Sequence, residues 1–341
     1  MSVLYLHIGL PKTGTTAIQE FLLQNQGPLE ELGWGYPSFL RQRNHLELAA
    51  YAGSDRHVLG RGFIGLKNTD DVDAFRSSLN RAIRENTAQG DWVFSSEHLA
   101  SRVDTTEGVR RLSELFGHFA QVRIVMFVRP QDEMAVSSHS TWVLDGSPAP
   151  FDLAKHVGLT QRYDYREIAE RWMQVFGEGS VEIRLYDKRR LLEDVVVSLG
   201  GTSLEDWTIP SPENVSLTNV ELAFLREMNG RLPRWADGAP DKRHGDFRSQ
   251  IAGSGLGEPL RLRQQDRRAI LDAFRDSNEW VVERALNSGD TAAFFPAATD
   301  EAVTDGPSNI DHVLSADEAL EFASRLWRHA GRLKRRRALN D

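Results

Sequence analysis

The sequence predicts an α/β protein: a parallel, doubly wound sheet flanked by helices, with a helical C-terminal elaboration. Three observations predict it. Short β-rich apolar runs recur at residues 3–8, 91–96, 122–128 and 181–186. Patterns with apolar residues at helical spacing stand between them. Finally, Lys12, Glu97, Arg129 and Tyr186 fall at or just past the ends of those runs, and ligands of open parallel sheets bind at the carboxyl ends of the strands.

The first run is bounded by Gly9, as a buried strand would be. A tight loop, residues 9–14, follows, then a helix with Ile18, Phe21 and Leu22 on one face; Gly27 and Pro28 are expected to end it. Residues 32–37 are turn-rich and read as a short edge strand, and 41–52 as helical. Gly and charge crowd residues 54–70, a long surface loop of the kind that carries substrate specificity. Val72, Phe75, Leu79, Ala82 and Ile83 give a helix over 71–89, before the strand that runs into Glu97. Val109, Leu112, Leu115, Phe116 and Phe119 place a helix at 107–120. The third run, apolar apart from Arg123, then leads to Arg129 and Pro130. Helices at 131–144, 164–176 and 191–199 frame the last strand.

The remainder reads as helical. Thr218 with Glu221, and Ser315 with Glu318, are capping boxes that open helices at 219–231 and at the C-terminus. The final helix should turn Leu320, Phe322, Ala323, Leu326 and Trp327 inward. Between the two lies one long helical pattern at 260–286, after a loop at 238–246. The chain is read as a single domain, with a core at 1–217 and an elaboration at 218–341.

Composition narrows the chemistry. The 341 residues are 40% hydrophobic and 26% charged, enough for a large globular core. There is no cysteine, so disulfides, thiolate metal sites and a cysteine nucleophile are excluded. A net charge of −8 argues against general nucleic-acid binding. The 10 histidines show no paired zinc spacing, so no metal site is expected. No run reaches the roughly 20 apolar residues of a membrane span, and strand and loop begin at once, leaving no place for a signal peptide. A cytoplasmic protein without membrane insertion is the expectation.

The loop at 9–14 carries the most specific signal. Strand, glycine-containing loop and helix present backbone N–H groups to an anion. Lys12 adds a cation, and Thr13, Thr15 and Thr16 add hydroxyls. A nucleotide P-loop, G-x-x-x-x-G-K-S/T, has its lysine directly after the second glycine. Here Gly9 and Gly14 have that spacing, but Thr15 takes the lysine's place and the lysine stands at position 12. The run P-K-T-G-T-T at 11–16 resembles the 5′-phosphosulfate-binding loop of the sulfotransferase family, and implies a P-loop-like fold.

That resemblance implies 3′-phosphoadenosine 5′-phosphosulfate (PAPS) as sulfuryl donor, held by Pro11, Lys12, Thr13, Gly14, Thr15 and Thr16. Arg129 and Ser137, eight residues apart, resemble the family's 3′-phosphate-binding pair. Tyr186 resembles the tyrosine that contacts adenine, and Ser216 lies in a segment that approaches the nucleotide in relatives. An acceptor hydroxyl needs a base. The resemblance points to Glu97, as in glycan-type relatives, or to His45 in the region after the first helix. His98 adjoins Glu97 and would point to the opposite side if the strand continued. The basic stretch at 242–245 matches the family's closing segment poorly and reads as a solvated charge run. Glycines 253, 255 and 257 follow no strand and form no dinucleotide fingerprint. The acceptor would be a small molecule, a glycan or a lipid. An ATP-dependent kinase and a non-catalytic adaptor retaining the fold are the alternatives.

Overall fold

A computed structural model describes residues 2–41, 43–53, 65–66, 68–211, 216–232, 234–236, 239–240, 251, 254–285 and 308–337. Five parallel strands form its main sheet: β1 Val3–His7, β2 Trp34–Gly35, β3 Asp91–Ser95, β4 Gln121–Val128 and β5 Val181–Leu185. Their order is β2-β3-β1-β4-β5. The chain starts in the centre, winds to one side through β2 and β3, then crosses to the other. The direction of winding therefore reverses between β1 and β4, where such sheets open a crevice at their carboxyl ends. Leu4 pairs with Trp92 on one side and Val122 on the other.

Alternation along the strands supplies both faces. Tyr5, Val93, Val125 and Phe127 pack with Ile18, Phe21 and Leu22 of helix Thr15–Gln24 and with Leu191, Val195 and Val196 of helix Leu191–Ser198. On the opposite face Phe94 meets Phe116 edge to face at 5.6 Å. Helix Tyr165–Phe176 packs on helix Thr106–Leu115 and lies against β4 and β5. The doubly wound α/β sheet expected from the sequence is the sheet that forms. Ala285 makes an isolated parallel bridge to Ile183 of the last strand.

Two compact units emerge. One draws on Met1–Pro130, Leu159–Pro212 and Phe274–Pro296, and contains the sheet. The other draws on Gln131–Gly158, Glu213–Ala273 and Ala297–Asp341. The second unit is mainly helical, with Ala135, Val143, Leu222, Leu225, Ile270 and Phe322 in its core. It also holds a small antiparallel pair, Trp235–Ala236 with Ala239–Pro240, partly within the stretch expected to be loop.

Several local expectations need correction. The first helix stops at Gln24, and a second, Gln26–Glu31, runs through Gly27 and Pro28. Proline is tolerated in a first turn, whose N–H groups lack intrahelical partners anyway. The break comes at Asn25, whose Nδ2 donates to Phe21 and Thr208 carbonyls while its Oδ1 accepts the Thr208 N–H. His45 has φ 46°, so the helix expected at 41–52 starts only at Leu46. Asn68 and Asp71 form a capping box that opens helix Thr69–Asn86; residues 54–64 of the expected loop lie outside the described residues. The pattern at 260–286 is two helices, Gln264–Ala273 and Arg275–Arg284. In the last helix, Ala316–Arg337, Phe322 is buried against Phe224, but Leu320 and Trp327 are 67% and 83% exposed, and Ala323 is exposed too.

Phe21 is fully buried and stacks on Trp207 at 5.1 Å. Phe21→Ala should therefore destabilise the protein by about 3–5 kcal/mol, read as a lower midpoint in denaturant unfolding.

Candidate functional site

The loop after β1 is braced from inside. Buried Thr13 donates its hydroxyl to the Leu10 carbonyl at 2.8 Å, and buried Thr15 donates to the same oxygen at 3.3 Å. A Cβ on Gly9 would lie 2.8 Å from Thr15 Oγ1, so only glycine lets strand end and helix start approach this closely. Two residues take left-handed backbone: Gly14 at φ 75° and, unusually for a residue with a side chain, Lys12 at φ 70°. Pro11 and Lys12 are half-buried and Thr16 is exposed. Helix Thr15–Gln24 starts at Gly14 with no side-chain cap and no acidic residue in its first turn. Its N–H groups and partial positive charge are left for the loop side.

Arg129, just past β4, closes onto this loop. Its Nη1 donates to the Lys12 carbonyl at 3.2 Å, and its guanidinium lies 5.5 Å from the Tyr186 ring centroid. The Tyr165 hydroxyl donates to the Arg129 carbonyl at 2.6 Å. The Tyr186 N–H donates to Val128 at 2.7 Å, extending the pairing of β4 with β5 beyond Leu185. A Cβ on Gly14 would come within 3.2 Å of Tyr186 Cε2. Lys12, Gly14, Arg129 and Tyr186 thus gather at the carboxyl ends of β1, β4 and β5.

Glu97 stands at the neighbouring strand end. Buried Gln19, on the helix that follows the loop, donates Nε2 to Glu97 Oε2 at 2.9 Å and to the Ser95 carbonyl at 3.3 Å. His98 does not turn away, contrary to expectation. The strand ends at Ser95, Glu97 caps helix His98–Arg102, and His98 Nε2 lies 3.5 Å from Glu97 Oε1. Arg102 Nε donates to His98 Nδ1 at 3.1 Å, and Asn44 Nδ2 lies 3.0 Å from His98 Nε2. Burial, the larger effect, holds the His98 pKa below the ordinary histidine value, against the pull of Glu97.

His45 sits differently. It is buried beside the rings of Tyr36 and Phe94, at 5.1 Å and 5.6 Å, and its Nδ1 accepts the Ser95 N–H at 3.2 Å. Burial pushes its pKa down to about 3. His7, bonded through Nδ1 to Ser95 Oγ at 2.8 Å, is held at about 3 for the same reason.

Ser137 and Ser216 belong to the second unit. Ser137 is half-buried on helix Gln131–Leu144, its carbonyl accepting the Thr141 hydroxyl at 3.0 Å. Ser216 is exposed, two residues before the Thr218 cap. The basic stretch at 242–245 lies outside the described residues. Among the described residues no cluster of three or more His, Asp or Glu could hold a metal, and no helix is long and apolar enough to cross a membrane. Sequence reasoning missed Gln19, Tyr165 and Arg102. Gln19 left a signal, being polar on the same helical face as Ile18 and Leu22.

No family model matches the chain, and no curated protein matches it. Among solved structures it is similar to a sulfotransferase from Alicyclobacillus acidocaldarius. Identity is 16%, the match covers 66% of this chain and 91% of that one, and the TM-score is 0.38. The likeness is one of fold.

Gly14→Ala would hold a side chain at φ 75° and bring Cβ to 2.3 Å from Leu191 Cδ2. A loss of about 1–3 kcal/mol or more is expected in denaturant unfolding. The histidines predict a pH dependence. Their folded pKa is depressed, so between about 6.5 and 3 the unfolded chain binds protons that the native chain does not. Their contribution is complete above about pH 6.5 and is lost as pH falls, at up to about 1.4 kcal/mol per pH unit for each histidine. Asparagine tolerates the left-handed backbone and can accept the Ser95 N–H. His45→Asn should then flatten the fall in stability between about pH 6.5 and 4 by close to one proton, measured by urea unfolding across pH.

Proposed function

We propose that this protein is a sulfotransferase that moves a sulfuryl group from PAPS to a hydroxyl or amine of a carbohydrate, lipid or small-molecule acceptor. The observation that carries the reading is the pairing of loop and base. Lys12, inside the loop and in left-handed backbone, is gripped at its carbonyl by Arg129, and the helix the loop opens holds Glu97 through Gln19.

The residues present fit an anionic donor. The uncapped helix start and Lys12 supply positive charge where a 5′-phosphosulfate would lie, and Arg129 supplies a second cation beside it. In this reading Pro11 and Gly14 shape the loop, and Thr13 and Thr15 keep it open from within. Thr16 offers its exposed hydroxyl, and Tyr186 an aromatic face for the base. Ser137 and Ser216, which the resemblance implies for the donor, belong to the other unit.

Glu97 takes the proton from the acceptor hydroxyl as that oxygen bonds to sulfur and the bond from sulfur to the phosphate oxygen breaks. Lys12 and the loop amides stabilise the charge that develops on the departing phosphate. Glu97 is preferred to His45 because His45 spends Nδ1 on the Ser95 N–H and burial opposes its protonation. A kinase would need a metal-binding acid ending a strand, but Asp91 opens β3 and accepts the Val3 N–H at 2.7 Å at the amino end of the sheet.

Isothermal titration tests this. Adenosine 3′,5′-bisphosphate should bind and ATP with Mg²⁺ should not; the reverse would sink the proposal. Lys12→Ala should weaken the bisphosphate by at least about tenfold, the cost of one charge-assisted contact.

A further inference from the structure

Arg102 stands close to Glu97, one helix turn past His98, and Arg162 stands beside Arg102. Arg102 ends helix His98–Arg102, and Arg162 lies in the last turn of helix Thr160–Tyr163, which packs against it. Arg102 is half-buried and spends Nε on His98. Among the described residues neither guanidinium forms an ion pair with a carboxylate. The other arginines nearby differ in this. Arg43 is paired with Glu20, and Arg171 donates to Glu167 at 2.8 Å.

Resting on the donor-and-base reading above, we infer that the acceptor carries an anionic group, a carboxylate or a sulfate, which Arg102 and Arg162 bind beside Glu97. A cation taken partly out of water costs free energy unless an anion meets it, and two cations side by side raise that cost. The Arg102 pKa is drawn below the usual arginine value, by burial first and then by the charge of Arg162, with Glu97 only partly offsetting them. Helix ends favour a cation, which accounts for one arginine in each last turn. That preference does not account for two arginines without a carboxylate partner on helices that pack together. A planar, forked guanidinium suits a carboxylate or sulfate, and two of them would fix the acceptor's orientation. Because Arg102 reaches Glu97 through His98, an anion there would seat the acceptor next to the proposed base.

The test is a titration of D-glucuronate and of inorganic sulfate into protein saturated with adenosine 3′,5′-bisphosphate, with D-glucose as the neutral control. Saturable glucuronate binding in about the millimolar range is expected, weakening as salt rises, with none for glucose. The double variant Arg102→Gln with Arg162→Gln should lose it by at least about tenfold while still binding the bisphosphate, which checks its fold. Arg162→Gln alone should weaken it partially. Failure of both anions to bind would overturn the inference, and so would binding that the double variant retains, since that would belong to the Lys12 loop. A protein that fails to bind the bisphosphate would refute the proposed function separately, and the same anion titration on the free protein would still test the arginine pair.

Discussion

Everything at the site depends on the position of β1. It lies between β3 and β4, parallel to both, and the chain reverses its winding direction there. Gly9 and the inward threonines let the helix start fold back onto the strand end. Arg129 then has one short reach to make, to the Lys12 carbonyl. Without the central strand these contacts would be scattered over distant parts of the chain, Lys12 and Arg129 being 117 residues apart.

The electrostatics of the two strand ends are opposed. At β1 and β4 a lysine, an arginine and an uncapped helix start concentrate positive charge. At β3 a carboxylate is met by an amide from Gln19 and by a histidine whose pKa burial holds below its ordinary value. One strand end is thus rich in positive charge, and the other carries a hydrogen-bonded carboxylate. The single helix Thr15–Gln24 serves both, its N-terminus on the first side and Gln19 on the second.

Much of this was legible in the sequence because buried parallel strands are written as short apolar runs, and a change of polarity marks their ends. Lys12, Glu97, Arg129 and Tyr186 all obey that rule, and their placement at strand ends does not depend on the resemblance that suggested their roles. The features that were not legible are those set by distant partners. Asn25 ends a helix because Thr208 bonds it, and nothing near Asn25 in sequence says so. Leu320 and Trp327 have the spacing of an inward stripe, but spacing cannot say whether a surface is there to receive them. His98 was misplaced by one assumption, that strand alternation carried on past Ser95. Gln19 looked like an interruption of an apolar face and is instead the link between loop and acid.

The helix break at Phe274 has a consequence for how the chain can be divided. The backbone passes between the two units after Pro130, Gly158, Pro212, Ala273 and Pro296. Helix Gln264–Ala273 belongs to the helical unit, while helix Arg275–Arg284, directly after it, packs on helix Tyr165–Phe176 in the sheet-bearing unit. Neither unit is a continuous stretch of polypeptide, so no single cut releases one intact. Trimming the C-terminal third to leave a minimal sheet would remove part of the wall that the sheet's own helices lean on.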